Sequence, residues 1–197
     1  MFEFIEKIIY INLEHRTDRK QQIEDVLKIF PSEKVIRFNA IKQQPGFIGC
    51  TQSHIAVLEM AQKEGWKNCL ILEDDAIWSN FDNGCVLLEQ LVQKPFDVIT
   101  LGIAHAKYTS EYKLISGQTA TAYLVQQHYY QTLLTNFKES LQGLISTGKY
   151  GVYALDQHWK KLQPTDNWYS VIPSLMIQRQ SFSDIEKRNV DYSKQFS

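Results

Sequence analysis

A short apolar run that ends in three acids constrains the fold of this chain more than any other feature. Residues 69–72, Cys-Leu-Ile-Leu, are followed at once by Glu73, Asp74 and Asp75. A continuous apolar run of this length is typical of a strand that is buried on both faces. Such strands occur mainly in parallel sheets that carry helices on both sides. The run therefore predicts an α/β chain with polar side chains gathered where its strands end.

The same alternation continues along the chain. Apolar runs predict further strands at residues 8–11, 35–38, 97–101, 121–125 and 170–172, and Gly102 is expected to close the one at 97–101. Helical periodicity and stop signals predict helices at about 18–30, 53–64, 84–93, 126–144 and 155–162, and a loop at 43–46. This order predicts a mostly parallel central sheet flanked by helices. The length of 197 residues predicts one domain over 1–197, with a loosely ordered tail after about residue 184.

The charge balance and the cysteines exclude several classes of protein. Lys and Arg total 21 and Asp and Glu total 22, so no basic excess favours nucleic acid or an anionic membrane as the main partner. Three cysteines without a C-x-x-C spacing indicate reduced thiols. No apolar run approaches about 18 residues, and the first residues lack a signal-peptide core. We expect a cytoplasmic protein, with peripheral membrane association still compatible with the sequence.

The acid triplet is the first candidate site. Three adjacent carboxylates repel one another, most strongly at the edge of a low-dielectric core, and a divalent cation would relieve that repulsion. Mg²⁺ and Mn²⁺ prefer carboxylate oxygens and often share phosphate oxygens. In open α/β sheets, ligands bind beyond the carboxyl ends of the strands, which is where the triplet is predicted to lie. The alternative is a solvated acidic loop or helix cap with no ligand.

Polar residues after the first predicted strand form a second candidate. Asn12 could hydrogen-bond a base or a ribose, and Arg16 and Arg19 could bind a diphosphate through bidentate guanidinium contacts. The alternative is a capped helix start with surface charges.

Two later segments also carry candidate residues. Gly49 permits close backbone approach, and the predicted helix start favours an anion. His54 could orient a loop or touch a ligand, although a buried structural role is the simpler interpretation. Asp156 begins a late helix and could serve either as a general base or as a helix cap.

Taken in order, short segments along nearly the whole chain resemble glycosyltransferase family 25, which includes bacterial lipooligosaccharide glycosyltransferases and procollagen galactosyltransferases. The segments are residues 9–13 with Arg16, Asp18 and Arg19, then 38–40, 49–50, 53–54, 71–75, 101–102, 121–125, 155–156, 173–178 and 183–185. The chain departs from the family at residues 126–128, Gln-Gln-His, where the family tends to have a small residue and a glycine. It is also short for the fold, which predicts reduced acceptor loops.

The resemblance implies a GT-A type fold and an inverting transferase that moves a sugar, commonly galactose from UDP-galactose, to an acceptor hydroxyl with a divalent cation, Mn²⁺ or Mg²⁺. The expected acceptor is a glycan, glycolipid or protein, as in lipopolysaccharide biosynthesis. It implies Asp75 with Glu73 as metal ligands and Asp156 as the base. The residues expected near the donor are Asn12, Arg16, Arg19, Ala40, Ser53, His54, Glu73, Asp74 and Gln178.

Two other functions use the same residues differently. A Mg²⁺-dependent nucleotidyltransferase-like enzyme would take a nucleoside triphosphate and release pyrophosphate. A non-catalytic remnant of the transferase fold would bind a nucleotide sugar without turnover.

Overall fold

A six-stranded sheet forms the centre of the computed structural model, which describes residues 2–196. The described residues form the strands β1 (Lys7–Asn12), β2 (Val35–Asn39), β3 (Asn68–Glu73), β4 (Ala76–Trp78), β5 (Val98–Tyr108), β6 (Leu114–Gln126), β7 (Trp168–Ser170), β8 (Met176–Gln178), β9 (Ser181–Ser183) and β10 (Arg188–Val190). The central sheet has the order β2-β1-β3-β6-β5-β7, and within it β6 runs against the other strands. The predicted α/β architecture with a mostly parallel sheet is confirmed.

Helices cover both faces of this sheet. They are α1 (Thr17–Val26), α2 (Gly46–Glu64), α3 (Phe81–Leu91), α4 (Tyr130–Thr147), α5 (Tyr150–Tyr153) and α6 (Leu155–His158). Successive strand residues point to opposite faces. Ile9 and Ile71 pack in one core with α2 and α4, whereas Ile8 and Leu70 pack in a second core that includes residues of α1 and α3. Burial on both faces explains why the strands are continuous apolar runs.

The predicted strands at 97–101 and 121–125 are longer than expected in the structure because they form one hairpin. β5 and β6 pair antiparallel and are joined by residues 109–113. Gly102 lies within β5 and does not close it. A Cβ atom at Gly102 would lie 2.4 Å from the carbonyl oxygen of Met176. Glycine here permits the close passage of the chain around β8.

The start of α2 also differs from the prediction. The helix begins at Gly46 and not at Ser53, so it takes in the end of the predicted loop. A Cβ atom at Gly49 would lie 2.3 Å from the carbonyl oxygen of Ile41. Glycine is about 1 kcal/mol less favourable than alanine within a helix, and close packing against residues 41–43 outweighs that local preference.

Two smaller differences concern the chain after α5. The predicted helix at 155–162 is α6 followed by a 3₁₀ turn, Trp159–Lys161. The last predicted strand, 170–172, lies two residues earlier as β7, where the buried Trp168 pairs with Val98. Among residues 2–196, no helix combines the length and the apolar character that crossing a bilayer requires.

The chain after β7 returns to the end of β3. β4 and β8 pair antiparallel, and Ala76 lies opposite Gln178. The tail segment, defined as residues 181–196, contains the β9–β10 hairpin and a 3₁₀ turn, Ser193–Gln195. A loosely ordered tail after about residue 184 stays a prediction; β10 and the 3₁₀ turn lie within that range.

Candidate active site

A pocket of about 330 Å³ lies beyond the carboxyl ends of β1, β2 and β3. Its wall includes residues that directly follow these strands, among them Leu13, Ala40 and Asp74. This is the edge where open α/β sheets bind ligands, because the strand ends and the loops after them leave a crevice there. The predicted residues that line it are Arg19, Ala40, Ser53, His54, Glu73, Asp74, Asp75, Asp156 and Gln178.

Asp74 is fully engaged by protein donors. Its Oδ2 accepts a hydrogen bond of 2.7 Å from Nδ2 of Asn12, and its Oδ1 accepts one of 2.8 Å from Nη1 of Arg19. The side chain is buried. Asp74 therefore holds β1, α1 and the acid triplet together, with each of its oxygens already bonded to a protein donor.

Asp75 differs because one of its oxygens is unused. Oδ2 lies 3.2 Å from Nη1 of Arg19, whereas Oδ1 is buried without a hydrogen-bond partner among the described residues. Burial raises the pKa of Asp75 to about 6; the positive charge of Arg19 opposes this shift and the negative charge of Asp74 adds to it. A buried carboxylate oxygen without a partner is costly, so Asp75 is suited to bind a cation.

Glu73 lies beside Asp75 and carries a proton more readily still. Nε2 of Gln178 donates to Oε2 of Glu73 at 2.9 Å, while Oε1 lies 3.9 Å from Sγ of Cys50. Burial raises the pKa of Glu73 to about 8, with further contributions from the negative charges of Asp75 and Asp156. Without a bound cation, the positive charge of Arg19 does not balance the negative charge of these carboxylates.

These side chains fit a divalent cation of the Mg²⁺ or Mn²⁺ class. The free Oδ1 of Asp75 and the carboxylate of Glu73 are hard oxygen donors of the kind these ions prefer. A divalent charge would also stabilise the ionised forms of both acids. The assignment of Asp75 with Glu73 as the metal ligands stays a prediction that this geometry supports.

The raised pKa of Glu73 predicts a specific pH dependence of stability. Its ordinary value of 4.5 moves to about 8 in the folded chain, so the folded state keeps a proton that the unfolded state has released. Stability from this group is therefore greatest below about pH 4.5 and is lost as the pH rises towards about 8. Glu73→Gln removes this titration. With a chelator present, the melting temperature of the variant minus that of the wild type should therefore increase between about pH 5 and 8.

Thermal denaturation of both proteins across this pH range measures the effect. Buried His54 contributes the opposite trend below about pH 6.5 in both proteins, so the difference between the two melting curves isolates Glu73. A difference that stays constant with pH contradicts the prediction.

Asn12 and Arg16 lie outside the lining of the pocket. Asn12 is buried at the end of β1, where its Oδ1 accepts a hydrogen bond of 3.1 Å from Nε of Arg37. Arg16 forms ion pairs of 2.9 Å with Asp18 and 2.6 Å with Asp184. Asn12 therefore supports Asp74, and a diphosphate could reach Arg16 only by displacing its acidic partners.

Arg19 does line the pocket, although its guanidinium is also engaged. Besides Asp74 and Asp75, it donates from Nη2 to Oγ of Ser181 and to the carbonyl oxygen of Phe182, the latter at 3.0 Å. Its Nε is buried without a partner among the described residues. Arg19 thus supplies a fixed positive charge beside the acids.

Ala40 and Ser53 line the pocket mainly as supports. The amide of Ala40 donates to the carbonyl oxygen of Asn12 at 2.9 Å. Oγ of Ser53 accepts a bond of 2.8 Å from the amide of Ile41 and donates to the carbonyl oxygen of Gly49 at 2.7 Å. These bonds fix the loop after β2 against α2.

Asp156 lies in the first turn of α6 and lines the same pocket as the acid triplet. The amide of Thr119 donates to its Oδ2 at 3.0 Å. Thr119 has φ of 77°, a left-handed conformation that is strained for a β-branched residue. Burial raises the pKa of Asp156. The raised pKa brings the carboxylate closer to the range that suits a general base.

Sequence reasoning missed the part of the wall that the tail segment supplies. Ser183, Asp184, Glu186 and Tyr192 all line the pocket. Their local sequence is polar, and although residues 183–185 are one of the segments that resemble the family, neither composition nor periodicity places them at the pocket. The ion pair of Asp184 with Arg16, which the prediction had assigned to a diphosphate, is visible only in the structure because the two residues are far apart in sequence.

Comparison with known proteins identifies the family and agrees with the fold. The family model described as "Glycosyltransferase family 25 (LPS biosynthesis protein)" matches residues 44–159, a span that contains the acid triplet and Asp156. No curated protein sequence matches.

Solved structures of transferases share the fold. A glycosyltransferase involved in the glycosylation of the major capsid of PBCV-1 has 11% sequence identity and a TM-score of 0.59, with 92% of this chain and 95% of that chain covered. The glycosyltransferase GlyE of Streptococcus pneumoniae TIGR4 has 11% identity and a TM-score of 0.51, with 85% and 45% covered. These similarities support a GT-A type fold. The family model matches more than half of the residues of this chain, and the chain therefore belongs to glycosyltransferase family 25.

Proposed function

We propose that this chain transfers a sugar, galactose from UDP-galactose in the first instance, to an acceptor hydroxyl with inversion and with the help of a divalent cation. The observation that carries the proposal is that one pocket holds both the unpartnered Oδ1 of Asp75 and the carboxylate of Asp156. Direct displacement needs two groups of this kind: one that stabilises the leaving diphosphate and one that takes the proton of the attacking hydroxyl.

The acid triplet accounts for the leaving-group side. Asp75, with Glu73, would hold a divalent cation, which when bound supplies positive charge for the diphosphate that departs. Arg19 adds a permanent positive charge, with Nη1 only 2.8 Å from Asp74 and 3.2 Å from Asp75. Asp74 and Gln178 keep this group in place through their hydrogen bonds with Arg19 and Glu73.

Asp156 accounts for the acceptor side. Its raised pKa makes it a stronger base than an exposed aspartate, and the Thr119 amide fixes its orientation. Its position in the wall of the same pocket supports a contact with an acceptor hydroxyl. The proton of that hydroxyl passes to Asp156 as the new glycosidic bond forms at the anomeric carbon and the bond to the diphosphate breaks.

A donor screen tests the proposal. Nucleotide sugars with different bases and sugars are added with Mn²⁺, and the melting temperature is followed. A bound donor at a hundred times its dissociation constant adds about 2.7 kcal/mol to the free energy of unfolding. We expect the largest shift with a UDP-sugar, a smaller one in chelator, and release of UDP when an acceptor is present.

The product identifies the reaction class. Release of pyrophosphate from a nucleoside triphosphate, without UDP release, would replace the proposal with a nucleotidyltransferase. Calorimetry that detects no UDP binding with Mn²⁺ present would point to a non-catalytic remnant of the fold.

A further inference from the structure

A cluster of three metal-binding side chains lies next to the acid triplet. Cys50 and His54 project from α2 four residues apart, which places them on one helix face. Together with Glu73 at the end of β3, they offer one ligand atom each, and these atoms all lie within 4.8 Å of one another. In a tetrahedral zinc site with bonds of about 2.0–2.3 Å, ligand atoms are roughly 3.3–3.8 Å apart. Small side-chain rotations would therefore bring the three atoms onto one ion.

His54 supplies an independent indication of a ligand. It is fully buried, and its Nε2 has no hydrogen-bond partner among residues 2–196. The other ring nitrogen, Nδ1, lies 2.9 Å from the hydroxyl oxygen of Tyr123. When Nδ1–H donates to that hydroxyl, Nε2 carries the lone pair that a metal requires. Histidine ligands in metal sites are commonly oriented by such a bond from the second nitrogen.

We propose that Sγ of Cys50, Nε2 of His54 and one carboxylate oxygen of Glu73 bind a borderline-soft divalent ion of the zinc class, with a fourth position open to the pocket. All three residues line that pocket, so a water or ligand oxygen can complete the coordination. On binding, the Cys50 thiol gives its proton to solvent and the thiolate becomes the sulfur ligand. Oε1 of Glu73 lies 3.9 Å from Sγ and is the oxygen expected to bind, because Oε2 accepts a hydrogen bond from Gln178.

The ligand chemistry separates this site from the cation expected at Asp75. Thiolate and imidazole select zinc-like ions, whereas oxygen donors such as Asp75 select Mg²⁺ or Mn²⁺. Asp75 contributes no atom to the three-residue cluster. The two sites share only Glu73, so a zinc-class ion in the cluster would compete for that carboxylate and lower Mn²⁺-supported activity.

Cobalt substitution gives a direct test on the full chain. Co²⁺ bound to a thiolate in a tetrahedral site produces a near-ultraviolet sulfur-to-cobalt band together with intense visible bands. We expect these bands at one equivalent of Co²⁺ and their loss when Zn²⁺ is added. Cys50→Ser should abolish the sulfur-to-cobalt band. Cys85→Ser is the matched control, because Cys85 is a buried thiol in the opposite core, and it should leave the band unchanged.

Tyr123→Phe tests the orienting bond to His54 while it keeps the aromatic ring. Loss of such an outer partner weakens metal affinity by about 10- to 100-fold. Competition with a chromophoric chelator should therefore show weaker Zn²⁺ binding by this factor, with circular dichroism confirming an unchanged fold.

A folded wild-type chain that binds Co²⁺ without a sulfur-to-cobalt band, or a band that survives Cys50→Ser, overturns the proposal. If Cys50→Ser fails to fold, X-ray absorption of the Zn²⁺-loaded wild type decides the matter: one sulfur at about 2.3 Å is expected, and a shell of oxygen and nitrogen alone is contrary. The donor screen is a separate measurement. Asp75→Asn should abolish the Mn²⁺-dependent shift with UDP-sugar but keep the cobalt spectrum, so the two proposals can fail independently.

Discussion

Asp75→Asn is expected to lower kcat for sugar transfer by roughly a thousandfold or more, because metal stabilisation of a leaving group is worth several kcal/mol and each 1.36 kcal/mol is tenfold in rate. The amide keeps the size of the side chain but removes the charge that would hold the cation. Oδ1 of Asp75 is buried and the pKa of the carboxyl is raised by burial, so the substitution also removes a poorly solvated charge. With a chelator present, the melting temperature of Asp75→Asn should therefore be unchanged or higher than that of the wild type, although the variant has lost most of its sugar-transfer activity.

This combination separates a functional role from a structural one. Asp25→Asn is the control, since Asp25 is an exposed carboxylate that pairs with Lys28 at 2.6 Å on α1. It should leave kcat unchanged. If folded Asp75→Asn transfers sugar at the wild-type rate with the same Mn²⁺ requirement, Asp75 is not the metal ligand.

Asp156→Asn is expected to lower kcat by about a hundredfold to ten-thousandfold, the usual contribution of a positioned general base. The amide oxygen can still accept the hydrogen bond from Thr119, so the donor KM should change little. The pH profile is the diagnostic measurement. Wild-type kcat/KM should fall on the acidic side as Asp156 takes up a proton, at a pH above the ordinary aspartate range because burial raises its pKa.

The variant should lose that acidic limb. Asp82→Asn is the matched control, because Asp82 also lies in the first turn of a helix, α3, but is exposed. A helix-end effect would appear equally in both variants, whereas a base would affect Asp156 alone. Unchanged turnover in Asp156→Asn places the base elsewhere.

Much of the sheet could be predicted because its signals are local. The runs at 8–11 and 69–72 are continuous and apolar, and their burial on both faces in β1 and β3 follows from that pattern. The extent of β5 and β6 could not be predicted in this way. Their pairing includes several register shifts, and the length of a hairpin depends on contacts across it more than on either sequence alone.

The candidate site was likewise predictable only in part. Glu73, Asp74 and Asp75 were identifiable from their position after a strand. Their local sequence could not show how each is bonded. The contacts with Asn12 and Arg19 show that both oxygens of Asp74 have protein donors, whereas Oδ1 of Asp75 has none among residues 2–196. These contacts join residues 55 to 62 positions apart in sequence.

The tail segment has a consequence for the order of events during translation. Its contacts with Arg16 and Arg19 join residues 162 to 168 positions apart. A nascent chain that has not yet reached residue 181 can already form β1, β2, β3 and β6, but both arginines still lack these partners. During that interval Arg16 keeps Asp18 and Arg19 keeps Asp74 and Asp75 as partners. The part of the pocket wall that the tail segment supplies is added only after residues 181–196 have been made.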